Sequence, residues 1–330
     1  MTLHPTLRST PALLAGTVLL AGSLAAHAAS GLVFVANEKD NALTMIDAQT
    51  LVVVGTLPTC PRPRHLQRLP GGTRMLVACG DSGQADTIDL ASHRVVDSAP
   101  IGHDPEVLDL SADGRLAYVS AEDDNALAVY DLAAKKEVGR VALGPEPEGV
   151  KLSPDGRRVF VTSEVAGLVY AIDAATLKIV KSIPVGKRPR RLALTADGAQ
   201  LWVTDEKSAS ISVISTADLE VIATIVFTID GIAADGITPV GMVLAPDGRT
   251  MYVALGRANQ VAFVDVASRK TRALVPVGRR AWGLASSSDG TRLFVAGGLS
   301  DDLTAIDTHT ATPLKTIPVG HAPNAVLVDD

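Results

Sequence analysis

The strongest constraint in this sequence is a repeat that returns every 42 residues. It is marked by one large apolar or aromatic residue in each "x-Val-x" segment, and the seven markers are Phe34, Leu76, Tyr118, Phe160, Trp202, Tyr252 and Phe294. Five of the six intervals are 42 residues and the fifth in order is 50 residues. Self-similarity at this period indicates a repeat architecture in which each unit is one supersecondary element.

Two further markers keep the same register. A β-branched or aromatic residue followed in most units by Asp is found at Ile46-Asp47, Ile88-Asp89, Tyr130-Asp131, Ile172-Asp173, Ile214-Ser215, Val264-Asp265 and Ile306-Asp307. An Asp-Gly turn is found at Asp113-Gly114, Asp155-Gly156, Asp197-Gly198, Asp247-Gly248 and Asp289-Gly290, and Pro70-Gly71-Gly72 takes its place in an earlier unit. All three patterns share a single eight-residue insertion, so the repeat has seven units.

Each unit holds four short segments with the composition of β-strands. In one unit they span residues 148–152, 158–163, 168–172 and 179–185, and Gly, Asp or Pro separates them. Four strands in about 42 residues, repeated seven times without an amphipathic helix, are typical of a propeller. The sequence therefore predicts an all-β fold, a seven-bladed β-propeller of four-stranded blades.

The phase of the repeat at its two ends predicts how the ring closes. The repeat region enters at residues 32–35, which correspond to a second strand, and leaves after residues 324–328, which correspond to an innermost strand. We expect the C-terminal strand to complete the N-terminal blade, because this pairing leaves no open sheet edge at the junction.

The N-terminal residues differ from the repeats. Arg8 precedes an apolar stretch at residues 12–25, and Ala26-His27-Ala28 matches the small-x-small pattern of a cleavage site. We predict a signal peptide at 1–28, a propeller domain at 29–330 and a periplasmic location. No cysteine follows the cleavage site, which argues against a lipid anchor. No second apolar run of membrane length follows, so no membrane span is expected in the mature chain.

Charge and cysteine content narrow the class further. The chain has 36 Asp and Glu against 30 Lys and Arg, without a long basic run, and this argues against wrapping by nucleic acid. It has two cysteines, Cys60 in a loop entering a blade and Cys79 at the end of the second strand of that blade. Because both are expected near one face in an oxidising compartment, we predict a disulfide between them.

Several segments carry a resemblance to a known family. Tyr118-Val119-Ser120 and Ile183-Pro184-Val185-Gly186 resemble the YVTN family of β-propeller repeats over the whole mature chain. The chain is most similar to the propeller proteins associated with pyrroloquinoline quinone (PQQ)-dependent catabolism. The segments with this closer similarity are Asn37-Glu38-Lys39-Asp40-Asn41, Arg62-Pro63-Arg64, Asp104-Pro105-Glu106, Glu122-Asp123-Asp124-Asn125, Glu146-Pro147-Glu148-Gly149, Pro239-Val240-Gly241, Leu255-Gly256-Arg257-Ala258-Asn259 and Ala281-Trp282-Gly283-Leu284. This resemblance implies a periplasmic accessory role beside quinoprotein alcohol oxidation.

Repeat arithmetic separates core residues from candidate site residues. Trp202 shares the column of Phe34 and Phe160 and is expected in a blade core. Trp282 falls in another column, which begins the innermost strands and contains Arg64, Glu106, Glu148, Arg190, Val240 and Asn324. The loops entering these strands share one face, here called the top face, with the loops that follow the second strands. We predict a ligand or partner site there, centred on Trp282; the alternative is that Trp282 only plugs the channel.

Charged residues gather around the same columns. The predicted binding residues on the top face are Trp282, Arg64, Arg188, Arg190, Arg279, Arg280, Glu106, Glu148, His103 and His321, with Arg62, Arg191, Asp104 and Glu146 near them. The loops after the second strands add Glu38, Lys39, Asp40, Glu122, Asp123, Asp124, Glu164, Glu206 and Arg257. Arginine forks suit carboxylates, phosphates and protein partners; the alternative is a solvated rim of paired charges. The insertion within residues 228–236 is expected to overhang this face.

Catalytic and cofactor motifs are not found in the sequence. There is no Gly-x-Ser-x-Gly, no His-Glu-x-x-His, no Cys-x-x-Cys-His and no glycine-rich phosphate loop before a helix. A metal cluster of His65, His103 and His321 is not expected, because these residues do not share one column and have no defined carboxylate partner. No metal and no cofactor are therefore predicted.

The leading hypothesis is a non-catalytic periplasmic propeller that binds a small ligand or a protein partner on its top face. Its partner would be a periplasmic quinoprotein dehydrogenase or a transport component in PQQ-dependent alcohol catabolism. One alternative is a propeller hydrolase of the lactonase type, with Glu106 and Glu148 as the first candidate carboxylates. Another is a scaffold or adhesion propeller without a small ligand. The fold alone does not choose among these functions.

Overall fold

The computed structural model describes residues 1–2 and 29–330. Most of the predicted signal peptide, residues 3–28, lies outside this part of the chain. The described residues form seven antiparallel sheets of four strands each. These sheets are the blades of a propeller, and the predicted fold is confirmed. Among the described residues, no helix has the length and apolar character needed to cross a membrane.

The first four blades are given from the innermost strand outward. Blade 1 consists of β28 (Pro323–Asp329), β1 (Leu32–Asn37), β2 (Ala42–Asp47) and β3 (Val53–Pro58). Blade 2 consists of β4 (Pro63–Arg68), β5 (Arg74–Cys79), β6 (Gln84–Asp89) and β7 (Arg94–Pro100). Blade 3 consists of β8 (Pro105–Leu110), β9 (Leu116–Ala121), β10 (Ala126–Asp131) and β11 (Lys136–Ala142). Blade 4 consists of β12 (Pro147–Leu152), β13 (Arg158–Ser163), β14 (Leu168–Asp173) and β15 (Lys178–Pro184).

The last three blades follow the same order. Blade 5 consists of β16 (Pro189–Leu194), β17 (Gln200–Asp205), β18 (Ser210–Ser215) and β19 (Glu220–Val226). Blade 6 consists of β20 (Pro239–Leu244), β21 (Thr250–Leu255), β22 (Gln260–Asp265) and β23 (Lys270–Pro276). Blade 7 consists of β24 (Ala281–Ser286), β25 (Arg292–Gly297), β26 (Asp302–Asp307) and β27 (Thr312–Pro318). In the described part of the chain, three short 3-10 helices lie in the loops, namely Glu206–Ser208, Ala234–Gly236 and Gly256–Ala258.

The repeat markers have structural causes. The seven large residues that define the repeat lie in the second strands and are all buried, with Trp202 at 0% exposure as predicted for a blade core. The Asp of the second marker closes the turn after the third strand in six blades, and Ser215 does so in blade 5. In blade 1, for example, Asp47 Oδ1 accepts hydrogen bonds from the Thr50 backbone N–H at 2.7 Å and the Thr50 hydroxyl at 2.9 Å. Side chains of Asp and Thr commonly close turns in this way.

The C-terminal strand closes the ring. β28 pairs antiparallel with β1, with Phe34 opposite Leu327 and Leu32 opposite Asp329. Asp329 is fully buried, accepts a hydrogen bond from the Ser30 backbone N–H at 2.9 Å and forms an ion pair with Arg68 of blade 2. The predicted closure is therefore present, and it links the first strand, the last strand and the neighbouring blade.

The eight-residue insertion lies between blades 5 and 6. Phe227 and Ile237 flank it, and both are buried in the same apolar cluster as Trp202. Between them, the helix Ala234–Gly236 packs against the helix Glu206–Ser208. Because Glu206–Ser208 follows the second strand of blade 5, the insertion lies on the top face, as the sequence predicts.

Candidate functional site

The central channel opens on the top face among charged side chains from two columns of the repeat. The second residue of each innermost strand gives Asn324, Arg64, Glu106, Glu148, Arg190, Val240 and Trp282, in the order of blades 1 to 7. The loops after the second strands of blades 1, 3, 4 and 5 add Glu38, Glu122, Glu164 and Glu206. These eleven residues, here called the mouth, surround the upper end of the channel.

Blades 1 to 3 are joined at the mouth by arginines. Arg64 contacts both Glu38 and Glu106, and its Nε lies 2.8 Å from Glu106 Oε2. Arg62 lies 3.0 Å from the other oxygen of Glu106 and 2.5 Å from Asp104. Glu106 is fully buried, so its charge needs these partners to offset the loss of hydration.

Blades 4, 5 and 7 are joined in the same manner. Arg190 contacts Glu164 and lies 3.3 Å from Glu148, whose Oε1 also lies 2.9 Å from Arg191 Nη1. Glu206 lies 3.3 Å from Arg188 Nε and 3.6 Å from Arg280 Nη2. Because arginines of blades 2, 5 and 7 pair with glutamates of other blades, the mouth is held by ion pairs between blades and not only within them.

Trp282 lies among the charged side chains of the mouth, next to two arginines. The guanidinium carbon of Arg280 is 4.6 Å from the centre of its ring and that of Arg190 is 5.1 Å from it. Contacts of this kind are cation–π interactions. Arg190 and Arg280, two of the arginines predicted around Trp282, therefore contact it. The third, Arg279, is exposed and donates to the Leu299 carbonyl oxygen at 2.9 Å.

Two carboxyl groups at the mouth have raised pKa values. Burial, and then the nearby charges of Glu106, Glu148 and Asp104, raise the pKa of Glu122 from 4.5 to about 8. For Glu164, burial outweighs the arginines and raises the pKa to about 7. Glu122 is in contact with Glu106, so this coupled pair holds at least one proton at neutral pH.

Asp104, Glu106 and Glu122 are close enough to hold a metal ion. One oxygen from each lies within 4.8 Å of the other two. Arg62 and Arg64 already bind Asp104 and Glu106, however, and their charges would oppose a divalent cation. The arrangement favours a shared proton over a metal ion at this position.

A cavity of about 170 Å³ lies at the mouth beside blades 7, 1 and 2. Its polar and aromatic lining consists of Glu38, Arg64, Arg280, Trp282 and Asn324. Within this lining Asn324 Nδ2 donates to Glu38 Oε1 at 2.5 Å. Glu38 is the carboxylate of this cavity, and its side chain is 21% exposed.

The other predicted site residues lie farther out or are enclosed. Glu106 and Glu148, the first candidates for catalysis, are buried and bound by arginines. His103 and His321 lie on the exposed rim, 3.1 Å from Asp124 and 2.8 Å from Asp40 respectively. Because each of these histidines pairs with its own aspartate in a different blade, the structure does not bring them together with His65, which lines the channel.

The two cysteines form a disulfide in the structure. Cys60 and Cys79 have Cα atoms 5.8 Å apart, and no other cysteine is present in the described chain. The disulfide joins the loop entering blade 2 to strand β5 of the same blade. It therefore holds the loop that carries Arg62 at the mouth.

The sequence showed the charged residues of the top face but not their pairing. Glu38, Glu122, Glu164 and Glu206 occupy one repeat column, 42 or 84 residues apart. That spacing is the signal by which they can be recognised as one set. The identity of the carboxylate that lines the mouth cavity, Glu38, depends on the contacts of Arg64 and was not predicted.

Fold and site together define a seven-bladed β-propeller whose channel mouth carries paired carboxylates and arginines beside a tryptophan. A family model described as "Lactonase, 7-bladed beta-propeller" matches residues 168–324, and one described as "Cytochrome D1 heme domain" matches residues 107–193. No curated protein matches the sequence significantly.

Solved structures with the same fold differ in function. The chain resembles the periplasmic gluconolactonase PpgL of Pseudomonas aeruginosa, with 22% identity, 91% of this chain and 99% of that chain covered, and a TM-score of 0.76. It also resembles the hydrazine synthase of Kuenenia stuttgartiensis (22% identity, 84% and 92% covered, TM-score 0.74). The dihydro-heme d1 dehydrogenase NirN in complex with DHE is a third such structure (17% identity, 90% and 75% covered, TM-score 0.69). At these identities the likeness shows the fold alone.

The comparisons contradict the leading hypothesis of a non-catalytic accessory protein in PQQ-dependent catabolism. The family model over residues 168–324 is that of lactonases, and a gluconolactonase is among the structural neighbours. That hypothesis rests on short segments of the sequence. The lactonase match is longer and extends from the third strand of blade 4, through blades 5, 6 and 7, to the start of β28 in blade 1. The alternative of a lactonase-type propeller is the better supported one.

Proposed function

We propose that this chain is a hydrolase that opens small, polar lactones at the mouth of its channel. The observation that carries the proposal is the mouth cavity, where the carboxylate of Glu38, two guanidinium groups and the Trp282 ring line one space. Arg280, Trp282 and Asn324 of this cavity lie within the residues matched by the lactonase model. Its volume of about 170 Å³ suits a ring of lactone size.

The residues of the cavity can perform each step of ester hydrolysis. Glu38 takes a proton from a water molecule whose oxygen attacks the lactone carbonyl carbon. Arg64 and Arg280 stabilise the negative charge that develops on the carbonyl oxygen. The ring C–O bond then breaks, the leaving alkoxide takes the proton back from Glu38, and the product is a hydroxy acid. We assign the general base to Glu38, because it lines the cavity and its side chain is 21% exposed, whereas Glu106 and Glu148 are buried and do not line the cavity.

A haem d1 site is the second function that the comparisons suggest, since the cytochrome D1 model matches residues 107–193. The mouth does not fit such a group. Its cavity of about 170 Å³ is well below the roughly 300–1,000 Å³ of pockets that bury large ligands. Glu148 and Arg190, which lie within the matched residues, are paired with each other at 3.3 Å. These observations favour the lactonase proposal.

Hydrolysis of a lactone panel tests the proposal. The full chain is assayed with δ-gluconolactone and γ-butyrolactone, with chelator and with added divalent metal, after subtraction of spontaneous hydrolysis. Glu38→Gln should lower kcat about a hundredfold or more, because it removes the general base. Arg280→Met should lower kcat/KM. The matched controls Glu220→Gln and Arg94→Met, on exposed outer strands, should have wild-type rates. Absence of hydrolysis above background for all lactones, with or without metal, would overturn the proposal.

We further propose that the protein acts in the periplasm after removal of residues 1–28. The leader pattern and the disulfide between Cys60 and Cys79 support this location. Mass spectrometry of protein from the periplasmic fraction should show a mature N-terminus at Ala29. Recovery of the chain only from the cytoplasm with Met1 retained would contradict it.

A further inference from the structure

A second cavity lies deeper in the channel, beneath Trp282. Trp282, Arg64 and Asn324 line both this cavity and the mouth cavity. Its volume is about 170 Å³, similar to the roughly 150 Å³ cavity that holds benzene in a protein core. A molecule of about six to eight non-hydrogen atoms therefore fits within it.

The wall of this channel cavity has both polar and apolar residues. Blades 2 to 5 supply the polar side chains His65, Gln67, Asp109, Lys151 and Arg191, and Arg64, Trp282 and Asn324 are shared with the mouth cavity. Apolar residues come from every blade, and they are Ala325, Val326, Leu66, Val107, Leu108, Val150, Leu192, Met242 and Leu284. A Cβ on Gly283 would lie 2.1 Å from the Asn324 carbonyl oxygen, so glycine allows these strands to pack closely. A mostly apolar wall with a few polar groups is typical of small-molecule sites.

The charged groups of the cavity wall are all paired. Lys151 Nζ lies 2.8 Å from Asp109 Oδ2, and Arg191 Nη1 lies 2.9 Å from Glu148 Oε1. Arg64 contacts Glu38 and Glu106 above the cavity. A charged ligand would enter without an unpaired countercharge and would lose its hydration. The cavity is therefore suited to an uncharged ligand.

Two uncharged polar atoms remain without partners. His65 Nε2 and Trp282 Nε1 are buried and have no hydrogen-bond partner among the described residues. Burial, and then the charge of Arg191, lower the pKa of His65 to about 4, so the imidazole is neutral at pH 7. In a neutral imidazole each nitrogen either donates or accepts according to the tautomer, and a hydroxyl group can meet either need.

We propose that the channel beneath Trp282 is a binding site for a small uncharged molecule with an apolar body and one hydroxyl group, which hydrogen-bonds to the uncharged polar side chains of the wall, His65 and Gln67. Its apolar body packs against Leu284, Met242 and Val326. The site shares Arg64, Trp282 and Asn324 with the mouth cavity but uses neither Glu38 nor Arg280. The inference therefore does not depend on the lactonase proposal.

Titration with cyclohexanol tests the site in the full chain. We expect a saturable shift of the His65 imidazole Nε2 resonance in histidine-labelled protein and a rise in Tm. His65→Leu should weaken cyclohexanol binding about tenfold, since it removes one buried hydrogen bond. The matched control His309→Leu, at an exposed histidine of another surface, should not change binding. Cyclohexanecarboxylate, which has the same ring and a charge, should bind at least tenfold more weakly than cyclohexanol.

A second variant keeps the test decisive if His65→Leu does not fold. Val326→Phe fills the cavity from blade 1 with His65 unchanged, and it should abolish the cyclohexanol-dependent shift of His65. Absence of a saturable His65 shift in the wild-type protein would mean that water alone occupies the channel, and it would overturn the inference. Tighter binding of cyclohexanecarboxylate than of cyclohexanol would overturn it as well. This test reads a resonance of His65 and not an enzymatic rate. Its outcome is therefore independent of whether the protein hydrolyses lactones.

Discussion

At the residue scale, the mouth depends on charged side chains at backbone positions fixed by the repeat. In six of the seven blades the residue directly before the innermost strand has a left-handed φ, for example 58° at Arg62, 43° at Asp104, 56° at Arg188 and 59° at Arg280. Such angles are uncommon for residues other than glycine. Ala322 of blade 1 has the same conformation at 53°, so the repeat imposes it. What differs between blades is the side chain that this backbone turns toward the mouth.

Glu122 should make stability depend on pH. Its pKa is raised from 4.5 in the unfolded chain to about 8, so the folded state binds more protons between these values. Its contribution to stability is fully present below about pH 4.5 and is lost as pH rises toward 8. Glu122→Gln should therefore flatten the fall in Tm over this range, measured by thermal unfolding at a series of pH values. The exposed control Glu220→Gln should keep the wild-type slope, and an unchanged slope in Glu122→Gln would contradict the assignment.

Trp282 should contribute to lactone binding through its ring. Trp282→Ala should raise KM about thirtyfold, corresponding to about 2 kcal/mol, the usual cost of truncating a central aromatic contact. Trp282→Phe keeps a ring in the cavity and should lose less. His309→Ala, away from the mouth, serves as the control. A large fall in Tm with an unchanged KM would show instead that Trp282 is a structural plug of the channel.

At the element scale, one loop is held by a covalent bond and by polar contacts together. The loop entering blade 2 carries Arg62 and is fixed by the disulfide of Cys60 to Cys79. The Cys60 backbone N–H also donates to Asp86 Oδ2 at 2.8 Å, and the Arg62 backbone N–H donates to Asn41 Oδ1 at 3.0 Å. The loop is thereby tied to its own blade and to blade 1, so Arg62 reaches Glu106 from a fixed position.

Removing the disulfide should lower stability without changing the fold. The two cysteines are 19 residues apart, and opening a loop of this length costs about 3 kcal/mol in the chain-entropy description. The double variant Cys60→Ala/Cys79→Ala should therefore unfold at lower denaturant concentration than the wild type, with a similar circular dichroism spectrum. Mass spectrometry of non-reduced peptides should show the linked pair in protein from the periplasm. Two alkylatable thiols in that protein would contradict the pairing.

At the scale of the whole molecule, stability depends on closing the ring. β28 is hydrogen-bonded to β1, which begins almost 300 residues earlier in the sequence, and Asp329 is held by both Ser30 and Arg68. Burial raises the pKa of Asp329, but the hydrogen bonds from Ser30 and Arg68 outweigh it and keep the pKa below its usual value. The carboxylate is therefore ionised at neutral pH, and it joins the two chain ends to blade 2.

Deletion of the last eight residues should destabilise all seven blades. It removes the whole of β28, leaves β1 without a partner on its inner side and exposes the apolar side chains that β28 covers. We expect a large fall in Tm in a single cooperative transition, measured by thermal unfolding. The milder variant Asp329→Asn keeps the strand and should lower Tm less. A truncated protein with wild-type Tm would refute the closure argument.

Much of this protein could be predicted from its sequence, because the determinants of the blades are local. A strand of about six residues, a turn closed by Asp47 or by Asp113-Gly114, and one large core residue such as Trp202 recur in each unit. Their spacing alone indicates the number of blades, the column of each residue and the strand that closes the ring. The sequence also placed Trp282 and the arginines on one face.

The tertiary structure decided what the top face does chemically. Arg64 is near Glu38 and Glu106 only because blades 1, 2 and 3 meet at the channel, and these pairings enclose Glu106 while Glu38 remains at the cavity. The pKa of Glu122 is raised, and His65 Nε2 has no partner among the described residues, because residues far apart in the chain surround them and exclude water. Burial and the position of neighbouring charges are properties of the closed ring, so no single repeat of the sequence contains them.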